Sequence, residues 1–524
     1  MRATATLVKR SLYADSVALL ALARELRSHP GVVEAAALMA TPANRALLAR
    51  SDLLTPEAET AGPNDLVIAI MAEAPASAAL ARARAEELLG ARERRQEQAG
   101  RRAPRTLDGA RRRLPGASLA LISVPGAWAA AEARKALRLG LHVMLFSDHV
   151  LVEDEVALKQ QAARQGLLMM GPDCGTAYLG GAPLGFANAV PRGRVGLVAA
   201  SGTGLQQVAT LLAARGEGIS EAIGVGGRDM GAEVGGLMTL RALDALEADA
   251  ATEIVVVVGK PPAPPVREAV EAKLGALGKP AVVALLGRDV KGRRDGRIIT
   301  VTSLEDACLA TIAALAGAAW SPCAFSLPPA EVRRRVEAAR RGLRPGPSAI
   351  RGLYAGGTLA HEAALILEPL LGPVLTNLSP AAAGPGSTGG LHRVVDLGAG
   401  EYTVGRAHPM LDPTARVQAI ADAAGEDEVA VLLLDVVLGH GAAADPAGDI
   451  APALEAARGR GRELAVIASV IGTEADPQGL ARQTARLERA GAWVLPSNAQ
   501  AARAAACVAG GEAVMEQLLA ERRL

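Results

Sequence analysis

The 524-residue chain has only four cysteines, Cys174, Cys308, Cys323 and Cys507, and no two of them form a CxxC pair. Thiols scattered in this way support neither a disulfide framework nor a zinc site, so no metal is expected and a reducing compartment fits best. Aromatic residues make up 2% of the sequence, which leaves Ala, Val and Leu to build the core. With 56 basic against 55 acidic residues the net charge is +1, too weak a field to draw the chain onto nucleic acid or an anionic membrane. The longest apolar runs, IVVVV and VAVLLLDVVL, fall short of the ~20 residues that cross a bilayer. The N-terminal MRATATLVKRSLYADSV lacks the apolar stretch of a signal peptide. Together these absences point to a cytoplasmic protein whose ligands are small anions.

The sequence is rich in short apolar runs, each followed by a Gly or small-residue turn and a stretch of helical period. That alternation is the pattern of parallel βα units, and it predicts an α/β protein. At ~150 residues per domain, three domains are expected. In the first, strands are expected at Ala35 to Ala40, Leu66 to Met71, Leu119 to Val124, His142 to Phe146 and Leu167 to Met170. In the second they fall at Val195 to Ala200, Ser220 to Val225, Ile254 to Val258, Ala281 to Leu286 and Ile298 to Val301. In the third they fall at Ala349 to Ala355, Arg393 to Asp396, Val429 to Leu434, Leu464 to Ser469 and Trp493 to Leu495. The domains are placed at 1–190, 191–320 and 346–524, with the Pro- and Arg-rich stretch from Ser321 to Ser348 as connector. The Arg-rich stretch between Ala76 and Arg113 is read as a solvated helix and exposed connector.

Several strand ends carry loops suited to anions. The first expected strand of the second domain runs straight into Ser201-Gly202-Thr203-Gly204, where free amides at a helix start can face a phosphate. Capping alone also explains Ser and Gly there. The third domain offers Gly439-His440-Gly441 where a strand leaves the sheet; Gly439 and Gly441 are candidate phosphate contacts and His440 a candidate catalytic group. A structural histidine satisfied by its neighbours is the competing reading. The turn Gly226-Gly227-Arg228 is a further phosphate-binding candidate, and Lys260, Gly356, Gly357, Thr358 and Thr473 are substrate-binding candidates at other strand ends. In the loop from Tyr402 to Pro413, Arg406 can clamp a phosphate or carboxylate and His408 can polarise a carbonyl or move a proton. A structural Arg-Asp loop accounts for the same residues equally well.

From Ile122-Ser-Val-Pro-Gly126 through Gly171-Pro-Asp-Cys-Gly175 the chain resembles the second half of the CoA-binding domain of succinyl-CoA synthetase α subunits. The segment from Val195 to Gly204, with the GVGGRD and GKP turns, is similar to that subunit's ligase domain, and the third domain to the carboxyl-terminal domain of the β subunit. With TPANRALL at Thr41 to Leu48, GPDCGT, GGRD, LYAGGTLA and YTVGRAHPMLDP, the chain as a whole is identified as a member of the FdrA/AllF family. The resemblance implies a Rossmann-like CoA-binding-type domain followed by two flavodoxin-like ligase-type domains. It implies either an acyl-CoA synthetase or a subunit of oxamate carbamoyltransferase in allantoin breakdown, working beside co-encoded subunits.

Two departures bear on that choice. The synthetase carries phosphate on a histidine of a GHAGA-type loop, whereas this chain reads Leu286-Gly-Arg-Asp-Val-Lys-Gly-Arg-Arg-Asp-Gly and has no histidine between His149 and His361. The superfamily's GxTGxxG loop for CoA has no counterpart before Gly116, which counts against CoA as cofactor. Paired phosphate-binding helix starts without a shuttle suit direct use of an acyl phosphate such as carbamoyl phosphate. An ADP-forming acyl-CoA ligase and a noncatalytic scaffold subunit stand as the alternatives.

Overall fold

In the computed structural model, residues 2–12, 14, 16–98, 104, 106–343, 346, 348–378, 392–403, 407–459 and 464–520 are described. The chain forms two compact units, one of Met1–Arg113 with Gly400–Asp412 and one of Leu114–Ala399 with Pro413–Leu524. Among the described residues no helix is long and apolar enough to cross a membrane.

The first unit contains β1 (Ala3–Lys9), α1 (Ser16–Arg27), β2 (Val32–Met39), α2 (Pro42–Arg50), α3 (Pro56–Glu59), β3 (Leu66–Ala72), α4 (Pro75–Gln98) and α5 (Leu107–Arg113). Its sheet has the order β1-β3-β2, and β3 is antiparallel to both neighbours. The strands expected at Ala35 to Ala40 and Leu66 to Met71 are thus antiparallel to each other and not parallel βα units. The physical reason lies in β3. Its Leu66, Ile68 and Ile70 enter one buried cluster with residues of α1 and α4, while Val67 and Ala69 enter another with residues of α2 and α3. Successive side chains of a strand point to opposite faces, so a central strand covered on both sides reads as a continuous apolar run whether its partners are parallel or not.

The second unit is α/β and begins with β4 (Leu119–Ile122), α6 (Gly126–Arg138), β5 (His142–Leu145), α7 (Val152–Gln165) and β6 (Met169–Met170), whose strands form a small parallel sheet. Then come β7 (Thr176–Leu179), β8 (Ala182–Gly185), β9 (Arg192–Ala199), α8 (Gly202–Ala213), β10 (Ile219–Gly224), α9 (Leu237–Ala248), β11 (Ile254–Gly259), α10 (Pro264–Ala276), β12 (Ala281–Leu285), β13 (Arg293–Asp295), β14 (Ile298–Thr300) and α11 (Leu304–Leu315). These strands make an eight-stranded sheet ordered β13-β14-β12-β11-β9-β10-β7-β8. Its middle is parallel, and the β7–β8 hairpin and β13 add antiparallel edges.

The remaining elements are α12 (Pro329–Arg341), β15 (Ala349–Tyr354), α13 (Gly357–Leu371), β16 (Val374–Thr376), β17 (His392–Asp396), α14 (Gly400–Thr403), α15 (Thr414–Ala423), β18 (Val429–Val437), α16 (Pro446–Arg458), β19 (Ala465–Ile471), α17 (Leu480–Arg489), β20 (Ala492–Leu495), α18 (Asn498–Gly510) and α19 (Glu512–Ala520). The sheet β16-β17-β15-β18-β19-β20 is parallel throughout. All nine residues of β18 are buried, as expected of a strand with helices over both faces. The stretch expected as a connector holds α12, which buries Val332 and Val336. Next to it Ser326 donates to Gln500 of α18 through both its amide and its hydroxyl.

A buried ion cluster joins α7 to the Gly226-Gly227-Arg228-Asp229 turn. Lys159 Nζ donates to Glu155 Oε1, Asp229 Oδ1 and the Val225 carbonyl, each at 2.8 Å. Asp229 also accepts from the Thr239 amide and hydroxyl at 2.8 and 2.7 Å, near the start of α9. Lys159→Ala strands two carboxylates in the interior, and we expect it to cost about 3–5 kcal/mol. Trp128, Trp320 and Trp493 all belong to this unit, so urea unfolding followed by tryptophan fluorescence reads its stability; a loss below about 1 kcal/mol would show that the cluster does not hold the turn in place.

Candidate functional site: two helix starts and a buried carboxyl

Helix α8 begins where it does because Ser201 caps it: its backbone is extended and its Oγ accepts the Gly204 amide at 2.9 Å. The Gly202 and Thr203 amides have no hydrogen-bond partner among the described residues. Helix α13 begins on Gly356, an N-cap with no side chain to offer, so the amides of Gly357 and Thr358 are also open. The two starts meet. A Cβ on Gly356 would lie 2.8 Å from Thr203 Oγ1, and one on Gly204 would lie 3.2 Å from Thr358 Cγ2. Each helix start carries a partial positive charge, and bringing two together leaves a concentration of positive potential that an anion can relieve.

Asp435, fully buried on β18, fixes this arrangement. Its carboxylate accepts the Ala355 and Gly356 amides at 2.8 and 2.9 Å and an Arg416 Nη2 at 2.8 Å. Burial pushes its pKa up, while Arg416 and the two amides pull it down. Asp396, at the end of β17, comes up against Gly357: a Cβ there would lie 2.5 Å from Oδ2. Its Oδ1 accepts the Gly398 amide at 2.9 Å. Burial raises the Asp396 pKa to about 7; Asp435 and Asp173 add to the rise, and Lys260 at the end of β11 opposes it. His361, one turn into α13, places Nε2 3.1 Å from the Leu286 carbonyl, and burial lowers its pKa. Asp173, after β6, acts on Asp396 through its charge; its side chain is exposed to solvent, yet the crowding of protein around it, with Asp148 adding, lifts its own pKa to about 6.

The structure therefore brings Ser201, Gly202 and Thr203 together with Gly356, Gly357 and Thr358, with Lys260 within electrostatic reach. Other sequence candidates are engaged elsewhere. The Arg228 Nε pairs with Glu155 at 2.8 Å and its Nη2 donates to the Val150 carbonyl, while Gly226 takes a positive φ and would carry a Cβ 2.5 Å from the Pro172 carbonyl. Gly227 lies in the same turn. The Gly439 amide donates to Gln478 Oε1 and the His440 amide to the Ala187 carbonyl. Helix α16 starts only at Pro446 with Asp445 as N-cap, so Gly439 to Ala444 are loop and not a helix start. A Cβ on Gly441 would meet the Phe186 ring at 3.1 Å, and Thr473 donates its hydroxyl to the Ala189 carbonyl. This loop is thus clamped onto residues 185–189, with the His440 side chain exposed. His408 accepts the Met410 amide in the segment that groups with the first unit, and Arg406 lies outside the described residues. Sequence reasoning missed Asp396, Asp435, Asp173 and His361. The signal for Asp396 was present, an acidic residue closing an expected strand just before Leu-Gly-Ala-Gly.

Comparison with known proteins agrees with this architecture. Residues 353–508 match the CoA-ligase family, residues 191–287 the CoA-binding domain family, and residues 1–105 the "AllF, heavy metal-associated domain" family. The chain is 29% identical over 143 residues to the α subunit of succinate–CoA ligase [ADP-forming] from Methanothermobacter thermautotrophicus, covering 27% of this chain and 47% of that protein. A dinucleotide-forming acetyl-coenzyme A synthetase from Ca. Korarchaeum cryptofilum covers 78% of this chain and 84% of its own at 15% identity, with a TM-score of 0.28. The family matches and the succinate–CoA ligase relative define the class, a succinyl-CoA synthetase-like α/β protein with an AllF-type N-terminal domain. Protein YahF of Escherichia coli K12 is 38% identical over 502 residues, 94% of this chain and 96% of its own, and the chain belongs to the FdrA/AllF family.

The heavy metal named in the N-terminal match does not fit the residues present. A heavy metal calls for soft donors, yet no cysteine precedes Cys174, and among the described residues no three His, Cys, Asp or Glu side chains gather as ligands.

Gly356→Ala tests the meeting of α8 and α13. The added methyl must push the helix starts apart, at about 1–3 kcal/mol as for other overpacked sites, read in the same tryptophan-detected unfolding. An unchanged midpoint would mean that the two starts have room to spare.

Proposed function

We propose that this chain is a subunit of a carbamoyltransferase that uses carbamoyl phosphate and a small acceptor such as oxamate, in a hetero-oligomer with co-encoded subunits. The observation that carries the reading is the meeting of α8 and α13, with the Gly202, Thr203, Gly357 and Thr358 amides open. Such a site is matched to a phosphate, each helix dipole contributing on the order of 1 kcal/mol and more when sheltered from water. A phosphoryl-carrying ligase also needs an acceptor nitrogen, and the nearby histidine, His361, directs Nε2 at a carbonyl. Direct transfer from an acyl phosphate needs no such acceptor.

In this reading the four amides and the Thr203 and Thr358 hydroxyls hold the phosphate as it departs. Lys260 balances its charge from the end of β11. Preorganised donors aimed at the leaving phosphate supply the stabilisation that the transition state needs. The remaining readings are an ADP-forming acyl-CoA synthetase and a noncatalytic scaffold of the same complex, the first favoured by the CoA-ligase match.

Phosphorolysis of oxalurate by phosphate, with this chain and its co-encoded neighbours, should yield carbamoyl phosphate without CoA or ADP, and should stop when this chain is omitted. Thr203→Val should slow it roughly 10- to 100-fold, the effect of losing one hydrogen bond to a charged group. No carbamoyl phosphate, together with CoA-dependent ATP turnover, would replace this reading with the ligase one.

A further inference from the structure

Asp396 stands out among the acidic groups of the unit for its placement. Its backbone is held on both sides by Asn377, whose Oδ1 accepts the Asp396 amide and whose Nδ2 donates to the Asp396 carbonyl, both at 2.9 Å. One carboxyl oxygen, Oδ1, is anchored on the Gly398 amide. The other, Oδ2, has no hydrogen-bond partner among the described residues and lies over the Cα of Gly357, where any side chain would displace it. A carboxyl built only to cap α13 would be expected to accept one of the open amides of that start; this one stands beside them.

We propose that Asp396 is the proton-transfer residue of this cleft, with Oδ2 taking the N–H proton of the acceptor as the new C–N bond forms. The assignment rests on the carbamoyl-transfer reading. In the forward direction the acceptor nitrogen bonds to the carbamoyl carbon. The bond from that carbon to the bridging oxygen breaks with its electron pair going to phosphate, and the proton lost by nitrogen moves to Oδ2. The neutral acid then returns the proton to water. In the reverse direction the same acid protonates the departing nitrogen while phosphate attacks.

The electrostatics suit this role. The charged groups acting on Asp396 are Asp435 on β18, Asp173 after β6 and Lys260 at the end of β11. Two anions and burial outweigh the one cation, placing the group at about 7, where both protonation states are populated and a general base or acid is most effective. Forward transfer requires the carboxylate, so kcat/KM should rise with pH through about 7 and level off above it; phosphorolysis, which requires the acid, should fall across the same range.

The test compares the wild-type complex with Asp396→Asn and Asp396→Glu. We expect Asp396→Asn to lower transfer by about 10²-fold or more, a general base's usual contribution. It should also abolish the inflection while leaving inorganic phosphate affinity within a few-fold, and Asp396→Glu should restore part of the rate. A wild-type rate and inflection in Asp396→Asn would overturn the proposal. Calorimetry of inorganic phosphate binding to the full chain, in buffers of different ionisation enthalpy, gives a second readout. Phosphate itself titrates near pH 7, and its own proton exchange is common to both proteins; the bound anion should draw a further proton onto Asp396, seen as uptake in wild type above that in Asp396→Asn. Equal uptake in the two proteins overturns the assignment even if the complex transfers no carbamoyl group. A wild-type complex inert with carbamoyl phosphate, but showing Asp396-dependent uptake, would remove the transferase reading and keep Asp396 as the group that titrates with the anion.

Discussion

The site depends on one buried carboxylate. Asp435 sits in the middle of an all-apolar strand, where an isolated charge would be very costly, and it is tolerated because three donors converge on it: two consecutive backbone amides and a guanidinium. Those amides, of Ala355 and Gly356, belong to the turn between β15 and α13. By accepting both, Asp435 sets the direction in which α13 leaves the sheet, and so the point at which it meets α8. Arg416 reaches the same carboxylate from α15 and also donates to the Leu353 carbonyl, tying β15, β18 and α15 into one support behind the helix start.

A second layer of buried polar contacts holds the two halves of the unit in register. Glu362 on α13 accepts the Leu304 amide at 2.6 Å and Asn498 Nδ2 at 2.8 Å, while the Asn498 amide donates to Gln207 on α8. Burial raises the Glu362 pKa to about 7. On the far side Asn188 donates to Asp476 and to the Leu438 carbonyl and accepts from Gln206 Nε2. Both networks run from α8 into the later half of the chain. Buried networks of this kind favour one arrangement over its near-equivalents, since a slipped packing would leave several more groups unpaired at once, beyond the Gln206 Oε1 and Asn498 Oδ1 atoms that already have no partner. If the cleft holds phosphate as proposed, its donors need that uniqueness.

The parallel strands of the second unit were legible because their burial is written in composition: IVVVV and VAVLLLDVV admit few alternatives. The first unit misled for the same reason, since β3 is covered on both faces. Its partner β1, ATATLVK, carries too many Thr and Ala residues to register as a strand at all. At the site, the Ser201-Gly202-Thr203 start could be read because capping chemistry is local. Its partner was expected at Gly439-His-Gly, whose glycines look like a helix start but serve close backbone approach: a Cβ on Gly439 would lie 2.6 Å from the Ala187 carbonyl. Local sequence cannot separate a glycine that frees amides from one that admits a neighbouring strand. The choice of Gly356 over Gly439 is a tertiary fact, made by Asp435 and by Thr203 far away in the chain.

The chemistry follows from what surrounds the paired helix starts. In a phosphoryl-carrying enzyme the cleft must accept a phosphate and present a nucleophilic nitrogen within bonding distance. Here the imidazole on α13 is turned to the Leu286 carbonyl and depressed by burial, Lys260 and Arg288. Beside the start of α13, against Gly357, stands the Asp396 carboxyl, whose pKa burial raises to about 7. On the phosphate reading proposed for this cleft, a carboxyl beside the open amides would oppose the anion if it were always charged. One that titrates near neutrality avoids the conflict, because the arriving anion itself favours the protonated form. The same coupling makes proton transfer and phosphate occupancy mutually dependent, as a transfer that releases phosphate and a proton together requires.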